Sequence, residues 1–182
     1  MNAISKVAEL EESANRVATT GALAMTHRSV LISRGLIAGL VATIAISLVI
    51  VLQQALGILP QLSTIRVLAQ ALGFHSIAAG WFLHFVVGVL LWGPLYAWID
   101  PKSSYPHWFI GMMFATGVWL GVMLLIMPVV GAGLFGMELG MVTPMATLVL
   151  HWTYGAVLGA VFGSSPLAIT LTASQKSNTV TT

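Results

Sequence analysis

The sequence predicts an all-α polytopic membrane protein: four transmembrane helices in a bundle built from two helix-pair units. Of its 182 residues 58% are hydrophobic and only 7% charged, and the mean hydropathy is +0.96, more apolar character than a water-soluble domain of this size can hide in a core. The few charged side chains divide the chain into charge-free runs at 35–65, 67–99, 103–137 and 139–175. Short motifs in the first two runs also return in the last two.

Residues 1–34 form an N-terminal segment carrying Lys6, Glu9, Glu11, Glu12 and Arg16 before any apolar run begins, so no cleavable signal peptide is expected. Val7, Leu10, Ala14 and Val17 recur at helical spacing, which predicts a short amphipathic helix on the membrane surface, the alternative being a solvated tail. Residues 35–165 form the transmembrane domain, with spans at about 35–59, 77–99, 108–130 and 142–164, each able to cross ~30 Å of hydrocarbon at ~1.5 Å per residue. The stretch 62–73 is too short to cross; with Ile65, Val67, Leu68 and Leu72 beside Arg66 and Gln70, it is expected to lie along the surface. Residues 166–182, rich in Ser and Thr, read as a flexible tail.

Four spans bring both termini to one side. Lys6, Arg16, Arg28, Arg34, Lys102 and Lys176 fall on that side and only Arg66 on the other, which predicts cytoplasmic termini. Tyr96, Trp98, Tyr105 and Trp108 gather at the same boundary, where amphipathic rings sit at headgroup depth.

The repeat is read from spacing. Ala42-Thr43 in span one returns as Ala115-Thr116 in span three, an offset of 73, and His84-x3-Gly88 in span two returns as His151-x3-Gly155 in span four, an offset of 67. The difference of six matches the shorter second connection and predicts two helix pairs that hide small-residue faces against each other. Gly155, Gly159 and Gly163 on span four, and Gly117 and Gly121 on span three, are the expected contact stripes, while Pro94, Pro128 and Pro144 are expected to kink the spans.

His84 and His151 lie at similar expected depth, roughly 10–14 Å below the ends of their spans at 1.5 Å per residue, in the leaflet away from the termini. An ionisable side chain there points to a functional site. The glycine four residues on, Gly88 or Gly155, lies on the same helix face and predicts a slot beside each imidazole. This arrangement resembles the bis-histidine b-type cytochrome membrane subunits. The resemblance implies one haem b with His84 and His151 as axial ligands to iron, Gly88 and Gly155 giving clearance to the macrocycle, Arg66 pairing with a propionate, and electron transfer between a quinone and a partner. Two-haem members carry a second histidine pair lower in the same helices, which this sequence lacks. The competing reading is that each histidine hydrogen-bonds a neighbouring helix.

Methionine offers a second chemistry. Met123 and Met127 are four apart, and Met137, Met141 and Met145 continue at that spacing. Thioethers are soft ligands suited to Cu(I), and the spacing resembles the Met-x3-Met motif of eukaryote-type copper transporters; His75, Glu138 and His151 would add harder ligands. Methionine as filler between helices is the alternative. Gln53 and Gln54, near His84 in expected depth, are candidates for hydrogen bonds to an imidazole or a quinone head.

The absences narrow the function. With no cysteine there is no disulfide, thiolate zinc site or iron–sulfur cluster. The pI near 9.3 comes from scattered basic residues that make no footprint for nucleic acid. No Asp, Glu, Lys or Arg falls within an expected span core, which disfavours a proton-coupled transporter, and hydrolase or P-loop motifs are missing. In size, topology and paired spans the chain resembles the small four-helix inner-membrane proteins of bacteria grouped as domains of unknown function. That resemblance implies the bacterial inner membrane and no particular activity. The function expected is a haem b electron carrier or redox-complex membrane subunit. The alternatives are a cofactor-free structural or assembly subunit, packing as a homo-oligomer or against other membrane chains, and a copper-handling protein.

Overall fold

The computed structural model describes residues 3–58, 63–100 and 104–164. Within them the chain is helical: α1 (Ala3–Ala55), α2 (Thr64–Ala71), α3 (Ile77–Ile99), α4 (His107–Val129), a 3₁₀ stretch (Leu134–Leu139) and α5 (Thr143–Ser164). Helices α1, α3, α4 and α5 are each long and apolar enough to cross a membrane. Large apolar side chains stay outside on all four, among them Leu48, Phe82, Leu125 and Val149; lipid solvates such a surface where water would not.

The span ends agree with the sequence to within a few residues, but two expectations change. No break separates the N-terminal segment from the first span, because α1 runs continuously for 53 residues through the expected boundary at 34. Second, Pro94 and Pro128 widen their helices. A proline removes one i→i−4 hydrogen bond and its ring presses on the carbonyl four residues back; here the turns before each proline, Val86–Trp92 and Val122–Ile126, are π-helical, which relieves that crowding. The surface stretch forms α2, with Ile65 and Ala69 buried and Arg66 and Gln70 exposed. Leu62, Lys102 and the tail from 165 onward, with Lys176, lie outside the described residues.

Glycine sets the helix pairing. A Cβ added at Gly35 would strike the Gly93 carbonyl and Ala97, and one at Gly39 the Gly88 carbonyl, so α1 and α3 cross backbone to backbone. Gly111 and Gly155 do the same for α4 and α5, and Gly159 receives the His107 backbone. Gly117 and Gly121 have nothing within 4 Å of an added Cβ, so among the described residues nothing packs onto that stripe. Ala38 and Ala42 let α1 approach α5, where they enclose Leu158 and Phe162 around Tyr96. Helices α3 and α4 pack little against each other. They are bridged toward the terminal end by Phe114, whose ring meets Trp92 at 6.0 Å and Tyr96 at 5.7 Å.

Between α4 and α5 the chain turns through glycines and one strained residue. Phe135 holds φ 57°, and its ring lies 5.9 Å from that of Trp119 beside the buried Met123 and Met127. Gly136, at φ 68°, is buried against Thr143 and Met127, where a side chain would find neither space nor a relaxed backbone.

Candidate functional site

The half of the bundle away from the termini encloses a cavity of about 340 Å³, within the range of small-molecule sites. Every element of the bundle contributes. Thr43, Ile46 and Ile50 come from α1, Val67, Leu68 and Ala71 from α2, His84, Gly88 and Trp92 from α3, Val122, Met123 and Met127 from α4, and Thr147, His151 and Tyr154 from α5. Both π-helical segments line it. The walls are apolar apart from a handful of nitrogen and oxygen atoms.

Those polar atoms have defined partners. His151 donates from Nδ1 to the Thr147 carbonyl at 2.7 Å, which leaves Nε2 without a hydrogen in the neutral ring. His84 lies near the Thr43 backbone, and its Nε2 is buried with no hydrogen-bond partner; Trp81 and Phe85 hold its ring edge-on, each at 5.8 Å. The Tyr154 hydroxyl donates to the Gly88 carbonyl at 2.7 Å. Thr147 donates to the Thr143 carbonyl at 2.7 Å and accepts from Trp119 Nε1 at 3.1 Å. Thr43 donates to the Gly39 carbonyl at 2.7 Å. Just outside, Trp152 Nε1 donates to Thr116 at 2.9 Å, a second α4–α5 tie.

The two histidines singled out by spacing therefore open onto one cavity, but the residues assigned to support them do not gather there. Gly155 offers no slot, since α4 fills the space beside it with Gly111 and Ala115. Gly88 lines the cavity, yet its missing side chain makes room for Thr43. Arg66 lies in a separate, smaller pocket with Gln70, His75 and Ser76. Gln53 donates to the Ile58 carbonyl at the end of α1 and, like Gln54, does not line the cavity. Met137, Met141 and Met145 are 51%, 85% and 61% exposed, whereas Met123 and Met127 are buried at the cavity wall. Among the described residues no group of three histidine or acidic side chains is placed to share a metal ion.

A second polar cluster, which the sequence reading passed over, closes the terminal end of the bundle. Asp100, 1% exposed, accepts from Tyr96 Oη at 2.7 Å and from His107 Nδ1 at 2.5 Å. Arg34 stacks over the Phe162 ring, 4.4 Å from its centroid, and donates to the Phe162 carbonyl at 2.5 Å. Asp100 follows span two immediately and looks in sequence like a solvated loop residue. The available signal was the spacing of Tyr96 and Asp100, which puts a phenol and a carboxylate on one helix face.

No curated protein and no solved structure matches the chain. One protein family does, over residues 29–168, which covers all four spans and stops short of most of the N-terminal segment. The chain belongs to DUF6789, a family of unknown function.

Proposed function

We propose that this is a membrane-embedded ligand-binding protein whose cavity, in the outer leaflet, holds a small, largely apolar molecule by hydrogen bonds to His84 and His151. The observation that carries this reading is the apolar cavity with His151 in its wall, the Nδ1 of that ring committed to Thr147 and its Nε2 left without a hydrogen-bond partner. A buried polar atom left without a partner is unfavourable by about 1–3 kcal/mol, and a bound molecule relieves it. The same reading takes the termini as cytoplasmic, from the distribution of Lys and Arg. It takes α1 with α3 and α4 with α5 as the two repeated units, each crossing on glycine and each bringing one histidine to the cavity.

A single haem b between His84 and His151 is the second reading. The anchored Nδ1 of His151 and the free Nε2 of His84 favour it, since an axial imidazole donates through one nitrogen and ligates through the other. The rest of the site fits a porphyrin poorly. Gly155 is filled by α4, and among the described residues no Arg or Lys lines the cavity to meet the propionates. Copper has weaker support, since only Met123 and Met127 of the methionine series reach the cavity.

One preparation tests both readings. The protein is purified in mild detergent alongside His84→Ala and His151→Ala, its reduced-minus-oxidised visible spectrum is recorded, and organic extracts are analysed by mass spectrometry. A colourless protein that carries an apolar molecule, lost in both variants, is the expected result. Soret and alpha bands lost in both variants establish the haem instead. An empty, colourless, folded protein refutes both and leaves a packing subunit.

A further inference from the structure

We propose that the cavity admits, sideways from the bilayer through the seam between α3 and α4, an amphiphile whose head donates a hydrogen bond from a hydroxyl and whose apolar chain lies in that seam. The proposal rests on the ligand reading above and names the class of ligand.

Hydrogen-bond bookkeeping at the cavity sets the head group. The hydroxyl hydrogens of Thr43, Thr147 and Tyr154 are committed to the carbonyls of Gly39, Thr143 and Gly88. The Nδ1 hydrogen of His151 is committed to Thr147. The Nε2 of His151 therefore presents a lone pair, while the Nε2 of His84 is buried without a partner. What Thr43, Thr147, Tyr154 and His151 have left to offer are lone pairs. Two other donors line the cavity, the Thr64 hydroxyl and the Trp92 indole, and both stand at its rim: Thr64 opens α2, and Trp92 meets Phe114 at the seam. A ligand that only accepts, such as a ketone or an ether, would leave the imidazole unsatisfied. An ammonium head would donate, but among the described residues no Asp or Glu lines the cavity to balance its charge at membrane depth. A neutral hydroxyl, alcoholic or phenolic, meets both conditions.

The packing sets the route. Three of the four sides between the long helices are closed: α1 packs along α3 and α5, and α5 along α4. The fourth, between α3 and α4, is tight only toward the terminal end, where Phe114 meets Trp92 and Tyr96 and where Asp100 receives His107. Beyond that closure the seam is walled by Val87 on α3 and by Val118, Val122 and Ile126 on α4, all apolar, all partly exposed and all lining the cavity. On the far face α2 lies over the cavity with Val67, Leu68 and Ala71 beneath it. Access is lateral, and the molecules met there are those dissolved in lipid.

The test uses the full chain in detergent and two probes that differ in a single donor, 4-octylphenol and its methyl ether 4-octylanisole, with binding followed by titration calorimetry. The phenol is expected to bind at least tenfold more tightly than the ether. His151→Phe should bring that ratio below about threefold, and His151→Asn, which supplies a donor of its own, should shrink it by strengthening the ether. Val87→Trp combined with Val122→Trp should weaken both probes at least fivefold while the size-exclusion profile is kept. An ether that binds as well as the phenol overturns the head-group assignment, and plugged variants that bind normally overturn the route. If neither probe binds and solvent extracts of the wild type are empty, the ligand reading itself has failed. If neither binds but an extract yields a molecule without a hydroxyl, the cavity stands and this proposal falls.

Discussion

Tyr154 on α5 donates its hydroxyl hydrogen to the Gly88 carbonyl on α3 at 2.7 Å, across 66 residues of sequence. The bond ties together the two helices that carry His84 and His151 and does so at a π-helical carbonyl, where the regular backbone ladder is disturbed. Tyr154→Phe keeps the ring and removes only the donor. We expect a loss of about 1 kcal/mol in thermal or denaturant unfolding, the usual worth of one interhelical hydrogen bond. The freed Gly88 carbonyl is one more acceptor at the cavity wall, so the selectivity for the phenol probe over its ether is expected to be kept or raised.

Asp100 is the buried anchor of the terminal end, holding Tyr96 and His107 and facing the charge of Arg34. Asp100→Ala strands the His107 Nδ1 donor and a partly buried guanidinium, and leaves Tyr96 Oη with only the His107 carbonyl at 2.7 Å. We expect a loss of roughly 2–3 kcal/mol, reduced by the solvent exposure of His107. Asp100→Asn, which still accepts from Tyr96, should lose less. Melting curves of the two variants in one detergent decide this, and equal melting temperatures for Asp100→Ala and wild type contradict it.

The glycines divide into two classes that mutation will separate. Gly155→Ala drives a methyl group into the Gly111 carbonyl and Ala115 and should be clearly destabilising, by about 1–3 kcal/mol. Gly117→Ala meets nothing, removes a flexible residue from a helix interior, and should be neutral or stabilising by up to about 1 kcal/mol. A Gly117→Ala variant that loses stability or changes oligomeric state would show that the stripe on α4 is covered by another chain.

Gly80 seats α2. Its missing side chain receives the Ile65 carbonyl, so Gly80→Ala should push α2 off the start of α3. Hydrogen exchange at residues 64–71 should rise while exchange in α5 stays unchanged. Ligand dissociation should quicken, since α2 supplies the apolar cover on the far face.

Much of the fold was legible because composition and charge leave few choices in a chain this apolar. The four runs between charged residues became the four long helices, and the surface stretch became α2. His84 and His151 were legible as a pair for a similar reason, since motifs repeated at matched depth end up facing one interior. What spacing does not reveal is which neighbour occupies a vacancy. Gly155 looked like room for a ligand and is room for α4, because two helices compete with any ligand for the same cleared face. The Asp100 cluster escaped notice because a carboxylate one residue beyond a span reads as solvated. Only the folded arrangement shows Tyr96 and His107 converging on it.

The unbroken course of α1 carries a mechanical consequence. A helix of 53 residues is about 80 Å long, and roughly 30 Å of it suffices to cross the hydrocarbon. The remainder projects beyond the bundle as a lever whose other arm bears Gly39 and Thr43, the residues against which α3 and His84 are set. Whatever grips or tilts the projecting arm pulls directly on one wall of the cavity.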